Sequence, residues 1–283
     1  MSTADLPVTT CLAPWFGANR LLAPAVGEEL AGSRWVGIPF AGGMSELCYL
    51  TAPTILVNDQ HRLIMNLAWV LADKTLGPKL IRQLRRLPFH PDILRGGQIA
   101  STTYEYCDVD FFKGVVEDER RLHAATWYFV ACWMGRSGKS GIDDEFNGRL
   151  STRWNANGGD SNTRYRSAVS SLLAWRKILQ KCSFSVLDVF EFLDRCEDSA
   201  GHAIYCDPPF PKLGGRYKHK FSVEEHRLLA GKLLSYQNAR VVCRFYDDPL
   251  IRDLYPEGKQ SNAEAPEVLT LNGPSQAKSA GLF

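Results

Sequence analysis

The stretch Ala203-Ile204-Tyr205-Cys206-Asp207-Pro208-Pro209-Phe210 leaves this chain little structural choice. An apolar run of strand length meets an acid, two prolines and an aromatic. Pro208 and Pro209 lack a backbone N–H and have a fixed φ, so a strand must stop there. Asp207 is left at the carboxyl end of that strand, where open α/β sheets place their ligands. Asp207 and the Pro208 carbonyl offer adjacent hydrogen-bond acceptors, and Phe210 a flat face. Two acceptors and a stacking plate suit a planar group carrying an –NH2, such as a nucleobase. Taken alone, Asp-Pro-Pro is often only a type I turn; the surroundings decide.

Those surroundings alternate strand and helix. Arg34 to Phe40 reads as a buried strand running into Ala41-Gly42-Gly43, with a helix expected from Ser45. Glycines let backbone approach a ligand closely, and a helix start supplies free N–H groups. Thr54 to Val57 is a second strand, ending in Asn58-Asp59. A carboxylate there, about 20 residues after a glycine loop, is the usual arrangement for holding ribose hydroxyls. Asp59 could equally cap the helix His61–Leu71. Further strands are expected at Phe184–Leu187, ending at Asp188, and at Arg240–Phe245 and Glu267–Leu271. Short helices fall at Phe190–Arg195 and Pro249–Leu254, and Ser222 with Glu225 makes a capping box for a helix through Leu234. About six strands with helices between them give an α/β fold, a doubly wound Rossmann-like sheet. Residues 11–74 and 182–272 form the expected sheet domain, 75–180 a helical insertion, and 273–283 a loose tail.

The insertion carries the basic residues. Lys79 to Leu87 reads as a helix with Leu80, Ile81, Leu84 and Leu87 on one face and Lys79, Arg82, Arg85 and Arg86 on the other. Such a face is either simply solvated or contacts phosphates. After an apolar helix, Thr126–Met134, a Gly/Asn-rich stretch runs to Arg166. It holds Arg136, Lys139, Arg149, Arg153, Arg164 and Arg166 against Asp143, Asp144, Glu145 and Asp160. With Trp154, Asn155, Asn157 and Asn162 this suits base edges and phosphates better than a core. The net charge is only +2, so a nucleic-acid surface has to come from such local clustering. Gly138-Lys139-Ser140 is not a phosphate loop, because it follows a helix and its upstream glycine is misplaced. Lys218, His219 and Lys220 are as readily a solvated charge run as phosphate contacts.

The remaining composition sets bounds. A hydrophobic share of 45% and a charged share of 23% allow a sizeable core. Met1 to Thr10 has no signal-peptide pattern, and no apolar run approaches a membrane span. The eight cysteines are scattered without a CxxC pair, which fits reduced thiols in a cytoplasmic protein and no metal site.

Three acids, Asp59, Asp188 and Asp207, thus stand at strand ends with a glycine loop. The sequence resembles the Dam-type (D12 class) DNA adenine methyltransferases over nearly its whole length. The matching segments, in order, are Trp15-Phe16-Gly17-Ala18-Asn19, Pro39-Phe40-Ala41-Gly42-Gly43, Asn58-Asp59, the insertion 75–180, Asp188-Val189 and Asp207-Pro208-Pro209-Phe210. The resemblance implies that Trp15, Gly17, Phe40, Ala41 and Gly42 border S-adenosylmethionine, with Asp59 on its ribose and Asp188 on its adenine. It implies that Asp207 and the Pro208 carbonyl hold the target amino group, with Pro209 fixing the loop and Phe210 stacking on a flipped base. It further implies a cytoplasmic monomer acting on duplex DNA. Asn19 stands where a lysine is usual, Ile38 where an acid is, and Phe210 where tyrosine is commoner.

Two other readings remain open. The acceptor could be a cytosine amino group, RNA or a protein glutamine. Asn19 and Ile38 also keep open a nucleic-acid-binding module without catalysis. A dehydrogenase lacks both a full GxGxxG and a catalytic Tyr-Lys or His-Asp spacing.

Overall fold

The computed structural model describes residues 7–19, 21–107, 110–113, 115–135, 140–150, 160–211, 216–256, 267–274 and 276. In chain order its elements are α1 (Ala23–Glu29), β1 (Trp35–Ile38), β2 (Thr54–Asn58), α2 (Arg62–Ala72), α3 (Leu76–Arg86), α4 (Pro91–Tyr106), α5 (Asp118–Met134), α6 (Ser161–Leu179), β3 (Cys182–Ser185), α7 (Val189–Asp194), β4 (His202–Cys206), α8 (Val223–Leu234), β5 (Arg240–Tyr246), α9 (Pro249–Leu254) and β6 (Glu267–Leu271). They fall into two compact units. One takes Met1–Ala18, Gly42–Cys48 and His61–Lys181; the other takes Asn19–Ala41, Tyr49–Gln60 and Cys182–Phe283.

The second unit holds a six-stranded sheet of order β3-β2-β1-β4-β5-β6. All pairs are parallel except β5–β6. Gly37 sits in the middle, facing Leu56 on one side and Ile204 on the other. The strand order turns back on itself between β1 and β4, which makes their carboxyl ends the switch point of a doubly wound sheet. The core under β4 and β5 packs Ile204, Cys206, Val241, Cys243 and Phe245 against Phe192 of α7 and Leu229 and Leu233 of α8. Ser222 accepts from the Glu225 N–H and Glu225 reaches back to the Ser222 N–H, so the expected capping box is formed.

The first unit is helical. α2 has buried residues on every side, from Leu63 to Leu71. A helix apolar all round needs neighbours all round, so α2 joins α3, α5 and α6 rather than the sheet unit. The division therefore falls elsewhere than at residue 75. α6 runs antiparallel to α3: the Tyr165 hydroxyl donates to the Leu84 carbonyl and Arg176 to the Asp73 carbonyl. The helix expected from Ser45 is instead a 3-10 turn of four residues, Ser45–Cys48. It follows Gly42 at φ 45° and Met44 at φ 62°, left-handed positions that a continuing helix would not tolerate. So short a turn has no summed dipole to attract an anion. Among the described residues, no helix is long and apolar enough to cross a membrane.

Candidate active site

Asp207 closes β4 at the switch point, with its side chain 16% exposed. Its Oδ2 accepts from Nη1 of Arg244 at 2.9 Å. Arg244 is on β5, one strand over, and only 1% exposed. Its Nη2 and Nε donate to the two carboxylate oxygens of Glu267, at 2.7 and 3.3 Å. That fork is the geometry a guanidinium makes best. Antiparallel pairing of β5 with β6 is what brings Glu267 there. Behind Asp207, the fully buried Tyr205 hydroxyl hydrogen-bonds to its carboxylate and receives the side-chain N–H of Asn19 at 2.9 Å. Asn19 in turn accepts from the Leu22 N–H at the start of α1. Asn19 thus supports β4 from within the core. Two carboxylates thus share one guanidinium. Burial pushes the Asp207 carboxyl up, and Glu267 adds to this, while Arg244 and Tyr205 oppose it. Burial also works against the Arg244 charge, yet Asp207, Tyr205 and Glu267 hold it above its ordinary value. The Tyr217 phenol is raised by burial and next by the Asp207 charge, which sets Tyr217 beside this cluster.

Phe210 requires a correction. It is 2% exposed and lies in the core cluster, edge-on to Tyr246 at 4.5 Å. The Arg244 guanidinium covers its ring at 5.2 Å. It does not present the open plate expected of it. Its apolar ring gains more from the core than from solvent once Pro208 and Pro209 turn the chain. Pro208 is buried and Pro209 half-buried; the Pro209 carbonyl accepts from His226 of α8, which fixes the loop.

On the other side of the switch point, Asn58 ties three strand ends together. Its amide donates to the Pro39 and Leu187 carbonyls, each at 3.0 Å. Its oxygen accepts from the Ser185 hydroxyl and the Leu187 N–H, each at 2.8 Å. All four of its hydrogen-bonding positions are used. Its own carbonyl accepts from the Ala41 N–H at 2.9 Å. Asp59 follows, half-buried. It is not the cap of α2; that role falls to His61, whose Nδ1 accepts from the Ile64 N–H. Asp188 caps α7 through Phe190 N–H at 2.8 Å and also accepts from the Gln60 amide at 3.0 Å. Phe40 is partly buried, edge-on to Phe221 at 5.7 Å.

Trp15, Gly17 and Gly42 belong to the helical unit. The Trp15 indole packs so close to Gly42 and Gly141 that a Cβ there would lie 2.9 and 2.5 Å from it. Trp15 also meets His61 edge-on at 5.3 Å. His61 Nε2 lies 2.9 Å from Glu145, which accepts the Gly141 N–H at 2.8 Å as well. Gly17 turns the chain at φ 74°. Trp15 is thus half-buried as the peg of a glycine-lined joint. Of the expected DNA contacts, Arg136, Lys139 and Arg153 lie outside the described residues. Arg164 is committed elsewhere. It donates to the Cys132 and Gly135 carbonyls and covers Trp133, so it ties off the end of α5. Arg149 and Arg166 are exposed.

Sequence reasoning missed Arg244, Glu267 and Tyr217. An arginine inside the apolar run Val241–Phe245 was the available signal, since a buried guanidinium demands carboxylates. A cavity lined by Leu233, Tyr236, Val241, Tyr255 and Leu271 lies at the start of β5, the far end of that strand from Asp207. All eight cysteines are free thiols, and no group of metal-ligating side chains occurs among the described residues. In comparisons with known proteins the chain matches no protein-family model and no curated protein.

Proposed function

We propose that the chain is an S-adenosylmethionine-dependent methyltransferase acting on the exocyclic amino group of adenine in DNA. The observation that carries this reading is Asp207: a part-exposed carboxylate at the β1/β4 switch point, locked by Arg244 and Tyr205 and followed by Pro208-Pro209. The antiparallel edge strand β6 falls where the resembled family has its last strand. The donor set suits a nucleoside cofactor. Asp59, which follows β2, would hold a ribose diol, and Asp188 retains acceptor capacity beyond its two bonds. Phe40 supplies an apolar neighbour. When bound, that cofactor supplies an already activated methyl group. The residues of the chain then have to hold the amine. Asp207 and the Pro208 carbonyl accept its two N–H groups, draw the nitrogen toward tetrahedral geometry and free its lone pair. Orientation of this kind lowers a barrier by roughly 7–11 kcal/mol. Because Arg244 already neutralises Asp207 in part, the carboxylate acts as an acceptor rather than as a strong base. Calorimetry with S-adenosylmethionine, followed by mass analysis of nucleosides from treated DNA, tests the reading. Binding followed by N6-methyladenine supports it; a silent titration overturns it.

A second reading, a nucleic-acid-binding module without catalysis, is favoured by Phe210, whose ring is buried in the core rather than open beside Asp207. The same titration separates the two.

A further inference from the structure

Two packed helices of the helical unit contain no acid at all. α3 carries Lys79, Arg82, Arg85 and Arg86, and α6 carries Arg164, Arg166, Arg176 and Lys177, with no aspartate or glutamate in either. The buried side of α3 is Leu76, Gly77, Leu80, Ile81 and Leu84, so its four cations stand opposite and exposed. On α6, Arg166, Ser170, Leu173 and Lys177 form one exposed stripe at spacings of four, three and four. The antiparallel packing joins the two faces: the Arg166 guanidinium reaches the Arg85 and Leu87 carbonyls. None of Lys79, Arg82, Arg85, Arg86, Arg166 or Lys177 has an ion-pair partner among the described residues. Of the nearest acids in sequence, Asp92 stands beside His90 at 3.4 Å and the other two are committed to backbone. Asp73 accepts the Thr75 and Leu76 N–H groups, and Asp160 accepts that of Asn162.

Compensation of helix dipoles accounts for part of this. Arg85, Arg86, Arg176 and Lys177 lie in last turns, where cations are favoured. It does not account for Lys79 and Arg82, or for Arg166 near the amino end of α6. Unopposed positive charge there raises the energy of the folded chain unless a polyanion meets it. We infer that the α3/α6 face grips the phosphate backbone of duplex DNA without reading its sequence. Four of the six cations are arginines, whose planar fork fits phosphate oxygens. A membrane-lying helix would need its apolar side free, and that side of α3 is buried. The inference rests only on the DNA part of the reading above.

The test uses a fluorescent 30-base-pair duplex of arbitrary sequence, titrated from 50 to 200 mM salt. Each neutralised phosphate contributes about −0.9 to the slope of log K against log salt. The variant Lys79→Gln/Arg82→Gln/Arg85→Gln/Arg86→Gln retains good helix formers and buries nothing new. Its slope should shrink by about 3–4, with affinity at the lowest salt down roughly a hundredfold. Arg82→Lys/Arg85→Lys/Arg86→Lys should keep most of the wild-type slope. Circular dichroism melts verify that both variants fold. A Gln variant that folds and keeps the wild-type slope overturns the inference. So does binding to phosphatidylserine vesicles or polyglutamate through this face with none to the duplex. Failure of the methyltransferase reading is distinguishable: a protein silent with S-adenosylmethionine that still loses its slope in the Gln variant leaves this surface standing.

Discussion

Nη1 of Arg244 donates to Oδ2 of Asp207 at 2.9 Å while the rest of the guanidinium forks onto Glu267. One buried cation therefore holds the residue at the switch point and the last strand of the sheet. Removing one partner of such a cluster strands charge in the interior, at about 3–5 kcal/mol. Arg244→Met should lose stability in that range, and Arg244→Lys less. Adding Asp207→Asn to Arg244→Met should recover part of the loss, because one uncompensated carboxylate disappears. Urea unfolding checks this; strictly additive effects would mean that the two side chains are uncoupled.

The proposed chemistry requires Asp207 to be ionised. Burial raises its carboxyl and Glu267 adds to the effect, so methyl transfer should fail on the acid side at higher pH than for an ordinary carboxylate. Glu267→Gln removes a repelling charge, which should move that limb to lower pH. Asp207→Asn should abolish transfer while leaving S-adenosylmethionine binding within a few-fold of wild type. A pH profile of kcat/KM and calorimetry read the two effects. An acid limb that stays in place in Glu267→Gln would remove Glu267 from the account.

Much of the sheet was legible because a buried parallel strand is an apolar run with an abrupt end. Asp207-Pro208-Pro209 and Asn58-Asp59 gave their strand ends to within a residue, and Glu267–Leu271 is a strand over its full span. What was not legible came from packing. Asp188 is spaced like a ligand, yet its first partner is the N–H of a helix. α4, Pro91–Tyr106, was not anticipated, because Gly96 and Gly97 break its pattern; Gly97 is required by Val130, 2.8 Å from where its Cβ would be. In the sequence Asn19 reads as a lysine replaced, and only its bond to Tyr205 shows what it supports.

Phe210 offers a clean division between plate and core. It is 2% exposed and packs on Tyr246. Phe210→Ala should cost about 3–5 kcal/mol, the range for a buried phenylalanine. A ring waiting in the open for a base would cost almost nothing to remove. Thermal melts decide, and a near-unchanged melting temperature would return Phe210 to the stacking role.

Asn58 makes four side-chain hydrogen bonds to the ends of β1 and β3. Asn58→Leu leaves the Pro39 and Leu187 carbonyls and the Leu187 N–H short of partners, at about 1–3 kcal/mol for each group left buried and unpaired. A total loss of about 2–4 kcal/mol is expected after local relaxation. Asn58→Asp should be at least as harmful, because both carbonyls then face a carboxylate instead of an N–H donor. Urea unfolding of the two variants gives the comparison; an Asp variant as stable as wild type would show that the carbonyls find other donors.

His226 links the Pro209 loop to pH. It is 1% exposed, edge-on to Phe221 at 4.8 Å, and donates to the Pro209 carbonyl. Burial lowers its pKa below 6.5, against the pull of the Pro209 carbonyl, Glu225 and Asp248. The unfolded chain therefore binds a proton at this residue near pH 6.5, where the folded chain does not. Stability is full above that pH and falls as pH drops toward the folded value, by at most about 1.4 kcal/mol per pH unit for this one group. Below the folded value the loss levels off. His226→Phe, which keeps an aromatic against Phe221 and Phe245, removes the proton uptake and should flatten that part of the curve. Melting temperatures between pH 5.5 and 7.5 read the difference. Equal slopes in the two proteins would mean that His226 titrates alike folded and unfolded, and that its burial carries no electrostatic penalty.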